Sequence, residues 1–450
     1  MKRFAYGVFF VLFFVAPVFA QDAGLYRVLR NGLWGFVDAD GQIAIPTTYD
    51  HVYPFSGEYT VVRLGLFANG QRAFLRSDGV QITDFVFDRA YHFVNGFAIV
   101  MRAGRWGFVD PSGSVVGGLQ WGAVRNFQDG YAAVRVGDRR SGLWGLIDQT
   151  GAYLLEPVYE EVTYVGEGYW AVESDQGVAL IRSGDGAPTE FPYRSVSRFR
   201  DGLVAVAVPT GDGGAEYRAL DRELSVRLST PDQILSVSDG VARMSVEGRY
   251  LYREVESGEV IGREDGYDWA LDFQDGFAIV GAGESWSSRR HGVIGRDGRS
   301  RVPTVYRRIR PVEGADLFMV LAGNWGLIDH DGRLVADTVY AQIGGFQNGL
   351  APVQRDDLWG YVDTSGAHAI PLQWQAASEF VDGIAVVREG DRDSGERWYI
   401  DTTGDYLFER SFDWAYTFTG PVAHVAEGDF STGVFGYIDR EGRTVWQLSN

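Results

Sequence analysis

The sequence predicts an all-β protein, a tandem array of about twelve units that are each about 36 residues long and contain three antiparallel strands. Short phrases recur at that period from Leu33 almost to Asn450, and their apolar positions alternate with a period of two. No useful 3.6-residue periodicity follows residue 20. We expect an open, twisted β-solenoid-like array. The alternative is two propeller-like rings, because one propeller commonly holds about four to eight blades.

The first element, residues 1–20, has the pattern of a secretory signal peptide. Lys2 and Arg3 precede an apolar run, and Ala20 closes the segment with a small residue. The alternative is an uncleaved anchor helix. Later stretches fall short of the ~20 apolar residues that a membrane helix needs. We therefore expect residues 21–450 to be exported, to the periplasm or outside the cell, without a transmembrane segment.

The array from residue 21 to 450 is marked by one phrase above all, Trp-Gly-x-Val/Ile-Asp-x-x-Gly. "NGLWGFVDADGQ" is its first copy, and its residues alternate faces as a strand requires, before an Asp/Gly turn and a returning strand. The phrase is intact at Trp34, Trp106, Trp144, Trp325 and Trp359, and Phe435 begins a sixth copy. The units between about 170 and 300 are degenerate.

Two further phrases complete each unit. The second begins with an aromatic residue, as in Tyr49-Asp50-His51-Val52, and reads either as an extended segment or as a bend. The third, as in "FQDGYAAV" from Phe127, predicts a short strand launched by an Asn/Asp-Gly turn.

The repeated tryptophans are predicted to be structural, because one three-stranded unit cannot bury its own apolar face and must pack on its neighbours. A buried aromatic side chain removes roughly 150–250 Å² from water. We therefore assign Trp34, Trp106, Trp144, Trp325, Trp359 and Phe435 to the repeat core. The adjacent glycine allows a second backbone or the indole itself to approach closely. The alternative is that the indoles are displayed as ligand platforms.

These phrases resemble those of bacterial WG-repeat proteins, which are named for the Trp-Gly pair, over essentially the whole of residues 21–450. The resemblance implies a tandem β-repeat array without known catalysis that is used for contacts. The sequence departs from the pattern in several units, as at Arg72, Val178 and His291, where the tryptophan is missing, and at Trp398, which occupies the glycine position.

Composition excludes several classes of function. Residues 21–450 carry 39 basic and 60 acidic side chains, a net charge of −21, which argues against nucleic acid as a partner. The chain has no cysteine, and its six histidines lack metal-ligand spacing. Asp38-x-Asp40-Gly41 resembles part of a calcium loop, but turn capping is the better explanation. Acids such as Asp50 recur with the repeat, so no catalytic pair is indicated. We expect no enzyme, no cofactor and no metal.

One position suggests a contact surface. The third residue of the second phrase is polar in most units, but it is Trp269 in one and Trp414 in another. Exposed apolar side chains often mark interaction sites, so we expect both indoles to be at least partly exposed. The alternative is a local difference in packing. The sequence thus favours an exported scaffold for protein–protein contacts. The alternative is a binder of cell-wall glycan or other carbohydrate.

Overall fold

The computed structural model describes residues 23–138, 140–392, 394–428 and 433–447. The predicted signal peptide, residues 1–20, lies outside these ranges. The described part consists of strands, turns and loops, and none of its segments is helical. It therefore holds no helix that is long and apolar enough to cross a membrane.

The strands form twelve antiparallel sheets that follow one another along the chain, eight with four strands and four with three. Sheet 1 contains Tyr26–Arg30, Leu33–Val37 and Ile43–Tyr49; sheet 2 contains His51–Val52, Tyr59–Leu64 and Gln71–Arg76; sheet 3 contains Arg89–Val94, Phe97–Arg102, Arg105–Val109 and Val115–Trp121; sheet 4 contains Ala123–Val124, Tyr131–Val136, Leu143–Asp148 and Tyr153–Tyr159. Sheet 5 contains Glu161–Gly166, Tyr169–Ser174 and Gly177–Arg182; sheet 6 contains Ser195–Val196, Val204–Pro209, Ala215–Leu220 and Val226–Thr230; sheet 7 contains Gln233–Ser238, Val241–Val246, Arg249–Glu254 and Val260–Ile261; sheet 8 contains Trp269–Ala270, Phe277–Ala282, Arg290–Gly295 and Ser300–Tyr306. Sheet 9 contains Arg308–Pro311, Leu317–Leu321, Trp325–Asp329 and Leu334–Tyr340; sheet 10 contains Gln342–Ile343, Leu350–Arg355, Leu358–Asp363 and His368–Trp374; sheet 11 contains Ala376–Ala377, Ala385–Glu389 and Glu396–Ile400; sheet 12 contains Trp414–Ala415, Val422–Glu427, Val434–Asp439 and Thr444–Gln447.

We name the strands of a four-stranded sheet A to D in chain order, which is also their order in space. Sheet 1 has strands B, C and D, and sheets 2, 5 and 11 have strands A, B and C. The Trp-Gly phrase forms strand C, and the third phrase forms the A–B turn and strand B. The end of the second phrase is the short strand A, so most units have one strand more than the three that the sequence predicted.

The glycine of the Trp-Gly phrase allows strand D to approach strand C. A Cβ atom on Gly145 would lie 2.4 Å from the carbonyl oxygen of Leu155 in strand D. The register between these strands shifts on both sides of Leu146, which is the signature of a β-bulge. The close approach predicted for this glycine is therefore made by the backbone of the next strand.

The A–B turns use the Asn/Asp-Gly pair of the third phrase. In sheet 3, Asn95 and Gly96 have φ angles of 51° and 84°, the left-handed conformation that a two-residue hairpin turn of type I′ requires. Such turns also link neighbouring sheets: the amide of Gly202 donates to Glu167 at 2.9 Å, and the amide of Gly276 donates to Asp239 at 2.7 Å.

The chain passes from strand D of one sheet to strand A of the next through a single residue at several junctions. Glu160 alone separates sheets 4 and 5, and Arg307 alone separates sheets 8 and 9. Neighbouring sheets therefore pack face to face. Each pair shares one cluster of buried apolar side chains, as between Trp121 of sheet 3 and Val134 of sheet 4.

A twelfth cluster joins the last sheet to the first. Tyr26, Val28 and Val37 of sheet 1 pack on Val422 of sheet 12. The hydroxyl of Tyr437 donates to the carbonyl oxygen of Arg27 at 2.9 Å. The sheets thus form one ring that resembles a β-propeller with twelve blades.

The all-β array of about twelve units is confirmed, whereas the open form and the two smaller rings that we considered are not found. A rotation of about 30° per sheet closes twelve sheets, and the curvature of a repeat array follows from that small rotation. Nothing in the period of the sequence specifies it.

Candidate contact surface

Beside the B–C turn of each sheet, one residue from each strand pairs with its neighbour, and we call these residues a row. In the units that keep the Trp-Gly phrase, its tryptophan is the row residue of strand C. This tryptophan pairs with the aromatic residue that ends strand D, as in Trp34–Tyr49, Trp106–Trp121, Trp144–Tyr159, Trp325–Tyr340 and Trp359–Trp374. In sheet 12, Phe435 pairs with Ala426 of strand B. Because the strands are antiparallel, these rows lie at the opposite end of the sheets from the A–B and C–D turns.

The phrase residues are less buried than the sequence analysis expected. Trp144 is buried, whereas the side chains that share its position are half-buried: Trp34, Trp106, Trp325, Trp359 and Phe435. The deepest indoles of the row are the partners in strand D, Trp121 and Trp374, which are 0% and 1% exposed. The reason is positional: strand D leads directly into the next sheet, so its last residue lies between two sheets.

Arginine covers several indoles of the row. The guanidinium groups of Arg125 and Arg135 lie 4.4 Å and 5.4 Å from the ring centre of Trp144, and Arg310 lies 5.4 Å from that of Trp325. Such cation–π contacts are worth about 0.5–1 kcal/mol at exposed sites. The row therefore forms a border of stacked aromatic and cationic groups between core and solvent.

Where a unit lacks the tryptophan, arginine can take its place. Arg72 and Arg397 occupy that position in sheets 2 and 11 and are 9% and 7% exposed. Each donates to the carbonyl two residues earlier at 2.8 Å, and each also donates to a carbonyl of the second phrase, Asp88 or Asp413. The substitution is structural in both sheets.

In the row of sheet 8, three residues differ from those of the common repeat: Trp269, Gly281 and His291. The row reads Trp269, Gly281, His291 and Tyr306 from strand A to strand D. The indole of Trp269 meets the imidazole of His291 edge to face, with 5.0 Å between ring centres. Trp269 is half-buried and also packs on the core cluster between sheets 8 and 9. It is therefore partly exposed, and the rest of the side chain packs on this core.

The most exposed indole near this row is one that the sequence analysis missed. Trp286 lies in the B–C loop of sheet 8 and is 76% exposed. The guanidinium group of Arg289 lies between two indoles, 5.9 Å from Trp286 and 5.6 Å from Trp269. The signal in the sequence was a tryptophan among Glu, Ser and Arg ("GESWSSRR"), where no apolar neighbour could bury it.

Positive charge surrounds His291. Its Nδ1 donates to the carbonyl oxygen of Arg307 at 2.9 Å, which fixes the ring. Burial lowers the pKa of His291, and the nearby cations Arg289 and Arg308 lower it further. Arg307 and Arg308 are exposed. We call Trp269, Trp286, Arg289, His291 and Arg308 the sheet 8 patch.

The second nominated tryptophan does not join this patch. Trp414 is half-buried in strand A of sheet 12, and three sheets separate it from sheet 8. The guanidinium group of Arg397 lies 4.2 Å from its ring centre. Trp414 therefore covers the buried arginine of the neighbouring sheet. The structure thus gives Trp414 a packing partner.

The recurrent aspartates of the second phrase brace the B–C turns. Each accepts a hydrogen bond from a backbone amide fifteen residues later: Asp50 from Gly65 (2.8 Å), Asp88 from Ala103 (2.6 Å), Asp268 from Gly283 (2.8 Å) and Asp413 from Gly428 (2.7 Å). These carboxylates therefore have a structural role in every sheet where they occur.

The aspartates of the Trp-Gly phrase cap the C–D turns. Asp38 accepts from the amides of Asp40 and Gln42 at 3.0 Å and 2.8 Å, and Asp329 accepts from Asp331 and Arg333 at 3.0 Å and 2.7 Å. The Asp-x-Asp-Gly segments are thus capped turns, as the sequence favoured. Within the described ranges, no three His, Asp or Glu side chains are grouped so that they could hold a metal ion.

Six segments of the chain match the family model of the WG-containing repeat: residues 34–65, 74–106, 106–139, 144–176, 325–359 and 359–392. Each segment begins in or beside strand C of one sheet and runs into the next sheet. A comparison with curated proteins found no match.

Several solved structures share part of this architecture at low identity. A eukaryotic initiation factor is 11% identical with a TM-score of 0.38, covering 76% of this chain and 94% of its own. PorZ, a surface component of the type-IX secretion system of Porphyromonas gingivalis, is 13% identical with a TM-score of 0.23, covering 92% and 70%. The extracellular domain of a hybrid two-component system from B. thetaiotaomicron is 9% identical with a TM-score of 0.20, covering 93% and 73%. These similarities are too weak to indicate a function.

Proposed function

Because the chain belongs to the WG-containing repeat family, we propose that it is an exported, non-catalytic scaffold that binds another protein through the sheet 8 patch. A long array of repeats offers a broad, rigid surface, and contact with other proteins is the usual use of such a surface. The closed ring adds to that rigidity, because its first and last sheets hold one another.

The observation that carries the proposal is the arrangement of Trp286. An indole that is 76% exposed lies 5.9 Å from the guanidinium group of Arg289, which also lies 5.6 Å from Trp269. Tryptophan and arginine dominate the binding energy of protein interfaces, especially where they are ordered before binding. The patch is therefore of the kind that protein interfaces use, and it is present before any partner arrives.

The absence of catalysis is part of the proposal, and it rests on the roles of the polar groups. The recurrent carboxylates bond to backbone amides, as Asp268 does to Gly283. His291 is held by a carbonyl oxygen and has arginines, rather than a nucleophile or an acid, as its charged neighbours. Export is proposed from the basic head, apolar run and small closing residue of residues 1–20.

The proposal can be tested by site-specific crosslinking in cells that produce the protein. A photoreactive benzoylphenylalanine at Ser287, beside Trp286, is expected to form a defined protein adduct after export. The matched control carries the same residue at Ala68, beside Phe67, which is 75% exposed in the equivalent loop of sheet 2. Trp286→Ala should reduce the adduct about ten-fold or more, the usual effect of removing an anchor residue.

Two results would contradict the proposal. One is an equal yield of adducts from Ser287 and Ala68, because the sheet 8 patch would then have no preference. The other is retention of the protein on isolated cell wall that depends on Trp286 and is competed by wall glycan, without a protein adduct. That outcome would favour the carbohydrate-binding alternative, since an exposed indole also stacks on sugar rings.

A further inference from the structure

We infer that the partner segment bound by the sheet 8 patch is acidic, with side-chain carboxylates on both sides of an apolar residue. This inference rests on the proposed function and adds the chemistry of the partner. It follows from the distribution of charge around the patch, from the geometry of its cations, and from the overall charge of the protein.

The patch lies in the most basic part of an acidic chain. Between Trp286 and Arg310 the sequence has eight arginines and one carboxylate, Asp297, although the whole chain has a net charge of −19. Three of these arginines lie at or beside the C–D turn, at the other end of sheet 8, and have acidic partners. Arg296 bonds to Glu254 at 2.9 Å, and Arg301 bonds to Asp297 at 2.8 Å.

The remaining five arginines belong to the end of sheets 8 and 9 that carries the patch: Arg289, Arg290, Arg307, Arg308 and Arg310. Among the described residues, no carboxylate oxygen lies within 4.0 Å of their guanidinium nitrogens. Other exposed arginines of the described ranges do have such partners, as Arg227 has Glu256 at 2.8 Å and Arg440 has Asp382 at 2.9 Å. This group of cations is therefore available to carboxylates from outside the chain.

The geometry favours carboxylates beside an apolar group. Arg289 lies close to two indole rings, and the N–H groups of its planar guanidinium can donate to a carboxylate. His291 is fixed through Nδ1, so its second nitrogen can take up a proton and donate to an anion. Trp286 supplies the apolar surface next to these groups.

The overall charge selects a short acidic segment over a long polyanion. Nucleic acid or an extended acidic polysaccharide would bring many charges close to the acidic remainder of the ring, beyond the reach of five arginines. A peptide segment with a few carboxylates can pair with these arginines without bringing further negative charge close to the acidic remainder of the ring. Attraction of this kind is screened by salt over about 8–10 Å at physiological ionic strength.

The test uses the full mature chain and a synthetic probe. A fluorescein-labelled peptide with glutamates on both sides of one phenylalanine is compared with the same peptide carrying glutamine at each glutamate. We expect the acidic peptide to bind at least about ten-fold more tightly, and to lose most of that advantage when NaCl rises from about 50 mM to about 300 mM.

Two matched variants locate the effect. Arg308→Gln should weaken the acidic peptide about five-fold to ten-fold and leave the glutamine peptide unchanged. Arg299→Gln removes an arginine whose side chain is 82% exposed at the other end of the same sheet, and it should change binding less than roughly two-fold. Both residues are exposed, so circular dichroism should show unchanged β structure in both variants.

Histidine resonances give an independent readout. The chain has six histidines, so His291→Gln identifies the signal of His291. A bound carboxylate should raise the pKa of His291, because it offsets the repulsion from Arg289 and Arg308. The acidic peptide should therefore move that titration upward, and the glutamine peptide should not.

The inference is overturned if the two peptides bind equally, if Arg299→Gln weakens binding as much as Arg308→Gln, or if an acidic polysaccharide binds in place of the peptide. A protein adduct at Ser287 together with equal peptide binding would leave the scaffold proposal intact and reject the acidic segment alone. Loss of the adduct with tight, selective peptide binding would instead reject the scaffold.

Discussion

The pair Trp359 and Trp374 allows a direct test of which indole of a repeat stabilises the ring. The two residues are partners in adjacent strands of sheet 10. Trp374, in strand D, is 1% exposed and belongs to the core cluster between sheets 10 and 11, where its Nε1 lies 3.5 Å from the hydroxyl oxygen of Tyr406. Trp359, in the Trp-Gly phrase, is half-buried. Replacing each by alanine changes the same chemistry at two depths.

The expected magnitudes follow from burial. A fully buried aromatic side chain removes roughly 150–250 Å² from water, or about 4–6 kcal/mol gross at 25 cal/mol per Å². Measured losses for Trp→Ala in cores are about 3–5 kcal/mol, and we expect Trp374→Ala to fall in that range. Trp359 is buried to a smaller extent than Trp374, so we expect Trp359→Ala to cost less, about 2–3 kcal/mol. The difference should be about 1–2 kcal/mol.

Chemical unfolding followed by circular dichroism gives the overall ranking, and hydrogen exchange by mass spectrometry gives the location. Because neighbouring sheets share their core, faster exchange should be confined mainly to sheets 10 and 11 in Trp374→Ala. Equal losses for the two variants, or a larger loss for Trp359→Ala, would refute this reasoning. The phrase tryptophan would then be the main structural residue, as the sequence alone suggested.

Three further outcomes are expected. Burial lowers the pKa of His424 to about 4 from 6.5, so the unfolded chain binds more protons between these values. The free energy of unfolding should therefore fall by up to about 3 kcal/mol as the pH drops from 6.5 to 4, and thermal melts of His424→Phe should lack this loss. Asp88→Ala should cost about 1 kcal/mol and accelerate hydrogen exchange at the amide of Ala103, while leaving sheet 8 unchanged. The intact mass of the exported protein should lack residues 1–20; a mass that includes Lys2 would contradict signal-peptide cleavage.

Strands B and C could be predicted from the sequence because their phrases are local and repeated. Gly96 after Asn95 specifies a hairpin turn, and the alternation after Trp34 specifies a strand. Strand A could not be distinguished from a bend, because in most sheets it has two residues, as in His51–Val52. Two residues are too few to show an alternation.

Closure of the ring could not be predicted, because it depends on a contact between the two ends of the array. The hydroxyl of Tyr437 and the carbonyl of Arg27 meet only if the small rotations between successive sheets add up to a full turn. The candidate site was predictable in part. Trp269 breaks the pattern of its position, whereas Trp286 lies in a loop outside the period, and the fold decides which arginines stay unpaired.

In the sheet 8 patch, a large residue in strand A is accompanied by smaller residues than the repeat has in strands B and C. Trp269 is accommodated because the residue beside it in strand B is Gly281, where an added Cβ atom would lie 3.3 Å from the Cβ of Trp269. The next residue of the row is His291 in place of tryptophan, which leaves room for the indole above it. In sheet 12 the row again combines Trp414 with a small residue in strand B, Ala426. In sheet 8, strand C has a histidine where the common phrase has its tryptophan, and the indole that meets this histidine comes from strand A. The B–C loop of sheet 8 adds an arginine and an exposed indole beside Trp269. A degenerate unit in such a ring therefore keeps the packing of the repeat and gains a surface that the intact phrase cannot form.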